Sequence, residues 1–303
     1  MRHFLDLLDL STEDLTHLLA EAARLKAESQ AGRRQALLAG RVLGLIFEKP
    51  SLRTRASFEA AMAQLGGGSI FLSASDGPLG QRESVPDFAR TLSCYVDAVV
   101  LRVFRHQTVD EFAAHASVPV INGLSDLCHP CQALGDLLTL QEVFGGLRGR
   151  TLVFVGDGNN VARSVAVGCG KLGARFILAA PEGYGFDEPF LQTFRRLVPG
   201  GELVQNGVPQ HAVGAADVIY TDVWTSMGQE AERERRLREF AGFQVNADLL
   251  ARAPAHARVM HCLPAHRGEE ISAEVMEGPQ CLAFPQAGNR MHGQKALLKW
   301  LLT

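Results

Sequence analysis

Apolar positions along this 303-residue chain fall into short continuous runs, separated by longer segments of helical period. The runs lie at Val42–Phe47, 69–72, 98–103 and 118–121, then at Thr151–Val155, 176–180, Val218–Thr221 and 259–263. Continuous rather than alternating apolar character predicts strands buried on both faces of a parallel sheet. Helices are predicted between them: 12–28 behind the N-cap Ser11, 56–65 closed by Gly66-Gly67-Gly68, 132–144, 161–172, 229–240 and a terminal segment, 293–303. This alternation predicts an α/β fold of two domains, each a parallel sheet flanked by helices. The glycines of Gly145-Gly146-Leu147-Arg148-Gly149 are the expected hinge. The domains then run 1–145 and 146–289, with the final helix, 290–303, expected to complete the first.

Composition narrows the function classes. A charged fraction of 21% against 47% hydrophobic residues is globular rather than disordered. The net charge of −3 gives no bulk attraction to nucleic acid or to an anionic membrane, so any cationic site must be local. No run reaches the ~18 apolar residues of a membrane span. The first ten residues carry Asp6 and Asp9, unlike the apolar core of a signal peptide. Six irregularly spaced cysteines do not form a secreted disulfide framework, and a cytoplasmic protein is expected.

The turn Ser51-Leu52-Arg53-Thr54-Arg55 follows the first apolar run and opens a helix. A helix N-terminus offers unpaired N–H groups and a positive dipole end; the hydroxyls and guanidinium groups here add donors suited to a phosphate. An ordinary capped helix with solvated arginines explains these five residues equally well. Arg102 closes another run, at the strand end where ligands of parallel sheets gather, although alone it reads as a surface arginine.

His129 and Gln132, in His129-Pro130-Cys131-Gln132, lie one helical turn apart and can both donate to a carbonyl or amide. Cys128 and Cys131 also have CxxC form; zinc would need a second ligand pair, which is missing, while a weak redox reading stays open. Gly156-Asp157-Gly158-Asn159-Asn160 resembles a dinucleotide-binding turn, and Glu182 falls near the ribose-binding distance. Val161 stands where the fingerprint needs glycine, and two asparagines better suit a polar, amino-acid-like ligand. Asp222, ahead of Val223-Trp224-Thr225-Ser226-Met227-Gly228, sits at a strand end where a carboxylate can anchor an ammonium group. Cys262, in His261-Cys262-Leu263-Pro264, is most simply an inert thiol, and Arg290 an anion clamp or a structural bridge.

In this order, the segments resemble the ornithine carbamoyltransferase family over nearly the whole chain. Residues 51–55 match its carbamoyl-phosphate loop, usually S-T-R-T-R, and 129–132 its H-P-x-Q motif. Residues 155–160, 222–228 and 261–264 match its amino-acid-side motifs, and 284–294 its C-terminal segment. The resemblance implies two α/β domains with the active site in the interdomain cleft, in a homotrimer or an assembly of trimers. It implies transfer of the carbamoyl group of carbamoyl phosphate to the δ-amine of L-ornithine, giving L-citrulline and phosphate, within arginine metabolism and amino-acid biosynthesis. No metal or organic cofactor is implied, since the substrate brings its own leaving group, and no nucleic-acid or membrane partner.

By the same resemblance, Ser51, Leu52 (through its backbone), Arg53 and Thr54 hold the phosphate. Arg102, His129 and Gln132 address the carbamoyl group, in a carbamoyl-phosphate site that also includes Pro130, Cys131, Cys262, Leu263 and Arg290. Asn160, Asp222, Ser226 and Met227 hold ornithine. Arg102, His129, Asp222, Cys262 and Arg290 form the implied catalytic set. The δ-amine must be neutral to attack, so the rate is expected to rise with pH.

Three departures stand out: Leu52 for the usual threonine, Pro78 for a glutamine that reaches a neighbouring subunit's phosphate, and Gly288 for a glutamate beside Arg290. Competing readings are the same chemistry on N-acetylornithine or putrescine, a nucleotide-dependent oxidoreductase, and a non-catalytic carbamoyl-phosphate binder. Ser226-Met227-Gly228 goes with a free α-amino acid and speaks against the first. The oxidoreductase leaves residues 51–55 and 129–132 unexplained, and the intact set of polar groups speaks against the third.

Overall fold

The structure is a computed structural model that describes residues 1–73, 79–225 and 230–303. Pro78 and residues 226–228, singled out above, lie outside the described residues. The chain forms two compact units: Met1–Leu138 with Gly288–Thr303, and Thr139–Ala287.

In the first unit, β1 (Val42–Phe47), β2 (Gly68–Ser73), β3 (Ala98–Arg102) and β4 (Val120–Leu124) form a parallel sheet of order β2-β1-β3-β4. Five of the six residues of β1 and all of β3 are buried, as two covered faces require. The Phe4 backbone pairs with the β4 edge, its N–H donating to Val120 and its carbonyl accepting from Asn122, each at 2.8 Å. The helices are α1 (Thr12–Gln30), α2 (Leu52–Gln64), α3 (Val85–Leu92), α4 (His106–His115) and the start of α5 (Pro130–Phe144). Ser11 caps α1 in a capping box with Asp14, and Ser84 caps α3.

The second unit holds β5 (Thr151–Val155), β6 (Arg175–Ala179), β7 (Glu202–Asn206), β8 (Val218–Thr221) and β9 (Arg258–His261), parallel and ordered β7-β6-β5-β8-β9. Its helices are α6 (Asn160–Lys171), α7 (Glu188–Leu197), α8 (Pro209–Ala212), α9 (Arg233–Glu239), α10 (Ala247–Leu250) and α11 (Ala273–Glu277). The rings of Phe154 and Tyr220 stack across β5 and β8 at 5.1 Å. The edge strand β7 escapes the sequence pattern because Glu202 and Gln205 are polar and exposed. Of the predicted helix at 229–240, Gln229 lies outside the described residues, Glu230–Glu232 forms a 3-10 turn and Arg233–Glu239 forms α9.

The last helix, α12 (Ala283–Leu302), begins ten residues before the predicted 293. Its residues from Gly288 belong to the first unit, where Asn289 accepts from Lys26 at 2.7 Å and Lys299 donates to Glu21 at 2.7 Å. The glycine segment predicts a boundary at 145/146. The division instead falls inside α5, between Leu138 and Thr139, and inside α12, between Ala287 and Gly288. Continuous helices carry the chain across both points. Among the described residues no helix is long and apolar enough to cross a membrane.

Two glycines set α12 apart from an ordinary surface helix. A Cβ on Gly135 of α5 would sit 2.9 Å from Arg290 Cα and 3.0 Å from its nitrogen, so only glycine permits this approach. A Cβ on exposed Gly288 would meet nothing within 4 Å. Opposite signs are therefore expected from the same substitution. Gly288→Ala should raise stability by about 0.5–1 kcal/mol through helix propensity, and Gly135→Ala should lower it by about 1–3 kcal/mol through overpacking. Urea unfolding midpoints of the two variants check this.

Candidate active site

The polar residues singled out in the first unit gather beyond the carboxyl ends of its strands. Ser51 follows β1 and caps α2; its Oγ accepts from the Thr54 N–H at 3.3 Å and donates to Thr54 Oγ1 at 2.9 Å. Arg290 Nη2 donates to the same Thr54 oxygen, and its Nη1 donates to Gln132 Oε1 at 3.0 Å. Gln132 Nε2 in turn donates to Asp136 Oδ1 at 2.8 Å. Thr54, Gln132, Asp136 and Arg290 are all buried, so this chain of bonds fixes each side chain and compensates the desolvated guanidinium. Arg102 ends β3, also buried.

His129 lies just before α5, where Pro130 opens the helix. Burial first, and then the charges of Arg290 and Arg102, hold the His129 pKa well below its ordinary 6.5. It is therefore a neutral imidazole between two cations. Lys49 adds a further cation that the sequence reading missed: burial and then Arg102 depress its pKa, and it lies 4.6 Å over the Phe104 ring. Leu52 is 81% exposed, so its side chain takes no part in the chain of bonds. Arg53 is half-buried and makes no hydrogen bond or ion pair among the described residues. Arg55 differs, since it pairs with Glu59 at 2.9 Å and stacks 3.8 Å over Phe71.

The CxxC reading does not hold. Cys131 Sγ donates to the Asn122 carbonyl at 3.3 Å and Cys128 Sγ to the Leu5 carbonyl at 3.4 Å. Burial pushes Cys131 up to about 12 and Cys128 well above its ordinary value. Both remain thiols, unsuited to thiolate exchange or zinc.

In the second unit Asp222 follows β8 and is the point where three segments meet. Its Oδ2 accepts from Asn159 Nδ2 at 2.9 Å, and its Oδ1 from the Val223 N–H at 2.8 Å and from Cys262 Sγ at 3.0 Å. Asn159 lies after β5 and Asp222 after β8, so their bond spans the point where strand order reverses, the usual ligand position in such sheets. Asn160, the predicted ligand, opens α6 beside it. Leu263 is half-buried next to Cys262, and Ser226 and Met227 lie outside the described residues.

The dinucleotide alternative also fails on local chemistry. Asn159 Oδ1 accepts from the Val161 and Ala162 N–H groups at 3.0 Å each, taking donors a pyrophosphate would need. Asp222, His261 and Cys262 bring potential metal-ligand atoms within 4.8 Å of one another, as do His266, Glu269 and Glu270. In the first trio both His261 ring nitrogens are engaged, by Leu263 and Glu270; in the second, Glu269 pairs with Arg233 and Glu270 with His261. Neither trio presents three uncommitted ligands.

Comparison with known proteins agrees with this geometry. Residues 2–142 match the aspartate/ornithine carbamoyltransferase carbamoyl-P binding domain, and residues 148–301 match the Asp/Orn binding domain of the same name. The chain belongs to the aspartate/ornithine carbamoyltransferase family. It is 50% identical over 303 residues to the ornithine carbamoyltransferase of Bacillus subtilis (strain 168), covering 99% of this chain and 94% of that one. The structure of ornithine carbamoyltransferase from Pyrococcus furiosus aligns with a TM-score of 0.96 at 48% identity, covering 99% of this chain and 97% of that chain. The enzyme of the same name from Thermus thermophilus aligns at 0.90 and 44%, covering 99% and 98%.

Several residues around these family motifs were not legible beforehand. Arg236 of α9 is buried, donates to Asp157 Oδ2 at 2.6 Å and to the Trp224 carbonyl at 2.9 Å, and lies 4.9 Å over Tyr184. It ties the 156–160 turn to the segment after Asp222. The arginine-rich run around it reads in sequence as a solvated helix face. Asp136 has a fainter signal, one helical turn from Gln132, whereas Asn159 was already singled out with Asn160 as suited to a polar ligand.

The neutral state of His129 has a consequence for acid stability. Below about pH 6.5 the unfolded chain takes up a proton at this histidine that the native state refuses, so native stability falls as pH falls. Replacing His129 with glutamine removes that proton uptake. Between about pH 7 and about pH 5 the His129→Gln variant should lose fewer degrees of Tm than the parent, measured by calorimetry at each pH.

Proposed function

We propose that this chain transfers the carbamoyl group of carbamoyl phosphate to the δ-amine of L-ornithine, giving L-citrulline and phosphate. The observation that carries this reading is the buried chain Thr54–Arg290–Gln132–Asp136 beside Arg102 and neutral His129. Fixed donors and cations at strand ends suit a doubly charged phosphate joined through an anhydride oxygen to a small carbamoyl group. Ser51, the Leu52 backbone, Arg53 and Thr54 bind the phosphate. Arg102, His129 and Gln132 bind the carbamoyl group, and Thr54, Arg102, His129 and Arg290 stabilise the oxyanion as the amine attacks the carbonyl carbon.

Asp222 receives the α-ammonium group, with Asn160, Ser226 and Met227 completing the ornithine site. The Cys262 thiol and the Leu263 carbonyl lie where the δ-amine sheds its proton. The new C–N bond forms, the C–O bond to phosphate breaks, and phosphate accepts the amine proton. The first unit, which includes the end of the final helix, serves as the carbamoyl-phosphate domain, and the second unit as the ornithine domain. The enzyme acts in arginine metabolism, in the cytoplasm, as a homotrimer or an assembly of trimers. Relatives named ornithine carbamoyltransferase at close to half identity over the full chain support this reading over other acceptors.

The test offers carbamoyl phosphate with ornithine, N-acetylornithine or putrescine as separate acceptors. Turnover with ornithine alone is expected; turnover only with another acceptor would overturn the assignment of the Asp222 side. Arg53→Gly should abolish citrulline formation while circular dichroism still reports a folded protein, because Arg53 carries no internal ion pair among the described residues. Its Tm should fall only by the cost, about 1 kcal/mol, of glycine in the first turn of α2. Normal activity in that variant would remove the phosphate assignment.

A further inference from the structure

Glu270 is fully buried, although nothing in its sequence position marks it as part of a site. Its Oε1 accepts from His261 Nε2 at 3.0 Å and from the His266 N–H at 2.6 Å. His261 is also fully buried, and its other ring nitrogen, Nδ1, accepts from the Leu263 N–H at 2.8 Å. An amide N–H can point only at a ring nitrogen with a free lone pair, so the hydrogen of this imidazole is on Nε2, facing Glu270. The carboxylate thus fixes the tautomer, and the tautomer fixes the acceptor for Leu263.

That acceptor matters because of the backbone it holds. Leu263 has a φ of 60°, in the left-handed region that a leucine rarely occupies and that surrounding structure must impose. The His261 backbone is held on the other side, its N–H donating to Gln286 Oε1 at 3.0 Å, with Gln286 Nε2 donating to the Tyr220 hydroxyl at 3.0 Å. Between these anchors Cys262 donates to Asp222 at 3.0 Å.

We propose that Glu270 is a positioning residue for the transfer reaction. It acts through His261 to hold Leu263 in its left-handed conformation, and so aims the Cys262 thiol and the Leu263 carbonyl at the ornithine amine. This rests on the ornithine reading of the Asp222 side. Glu270 itself touches no substrate. Glutamine at 270 keeps an oxygen to accept from His261 and His266, whereas alanine removes the acceptor and leaves the imidazole free to change tautomer.

The experiment compares Glu270→Ala and Glu270→Gln by steady-state kinetics and by nitrogen-15 chemical shifts of the His261 ring. Glu270→Ala should lower kcat/KM for ornithine by about 100-fold, the scale of a misplaced reacting group. The KM for carbamoyl phosphate should change less than the kcat/KM for ornithine, since Cys262 and Leu263 border that site while its phosphate-holding residues in the first unit are untouched. Glu270→Gln should recover activity to within about ten-fold of the parent. The His261 shifts should report hydrogen on Nε2 in the parent and in Glu270→Gln, and a mixture in Glu270→Ala.

Equal losses in both variants, falling on both substrates together with Tm, would make Glu270 a purely structural residue and overturn the proposal. So would parental kinetics in Glu270→Ala. Should the alanine variant fail to fold, loss of ornithine turnover in Glu270→Gln with unchanged His261 shifts would overturn it just as well. A parent enzyme inactive on ornithine but with the Nε2 tautomer lost only in Glu270→Ala would sink the function reading while leaving the positioning device standing.

Discussion

A guanidinium that is 95% removed from solvent has to be answered by its surroundings, and in this chain Arg290 organises the strand-end polar site of the first unit. Moving an arginine out of water without partners would cost several kcal/mol. Its Nη groups reach Thr54 and Gln132, and Gln132 passes the interaction on to the buried carboxylate of Asp136. Those bonds join the residue after β1, the first turn of α5 and the return of the chain along α12. Only the missing Cβ of Gly135 lets α12 come close enough for them to form.

Parallel sheets explain where the chemistry sits in each unit. Every strand delivers its carboxyl end on the same side, so Ser51, Arg102 and His129 come from β1, β3 and β4, and Asn159, Asp222 and Cys262 from β5, β8 and β9. Each set then straddles the strand pair at which the order reverses, where neighbouring connections leave in opposite directions and open a space. The two units reach opposite electrostatic ends by the same architecture: cations and a neutral imidazole in the first, an acceptor-rich carboxylate in the second.

Much of this was legible because buried parallel strands leave an unambiguous apolar signature; β1, β5 and β8 match their sequence runs residue for residue. Ser51, His129 and Asp222 were legible because each lies in the turn or helix start that follows such a run. Residues that act through others were not. Glu270 lies nine positions after His261 across an irregular segment, so no helical or strand period connects them. Arg236 sits in a charged helix whose composition reads as solvent-facing, and only the fold buries it beneath Tyr184. The CxxC pair misled in the opposite direction: the spacing is right for a thiol pair, but burial among carbonyl acceptors keeps both sulfurs protonated.

The electrostatic balance of the first site also explains why its histidine must be neutral. Arg102 lies near both Lys49 and His129, and Arg290 near His129; burial first, and then these like charges, depress the pKa values of Lys49 and His129. A further positive charge on His129 would be desolvated and repelled by Arg290 and Arg102. A neutral imidazole still offers an N–H to a carbonyl oxygen, and it does so without having to exchange a proton as the oxyanion develops. In the proposed reaction the leaving phosphate is itself the proton acceptor, so the protein needs fixed donors more than a titrating base. Burial therefore serves both ends at once: it removes the histidine from acid–base service and strengthens every hydrogen bond that it and its neighbours make to the developing charge.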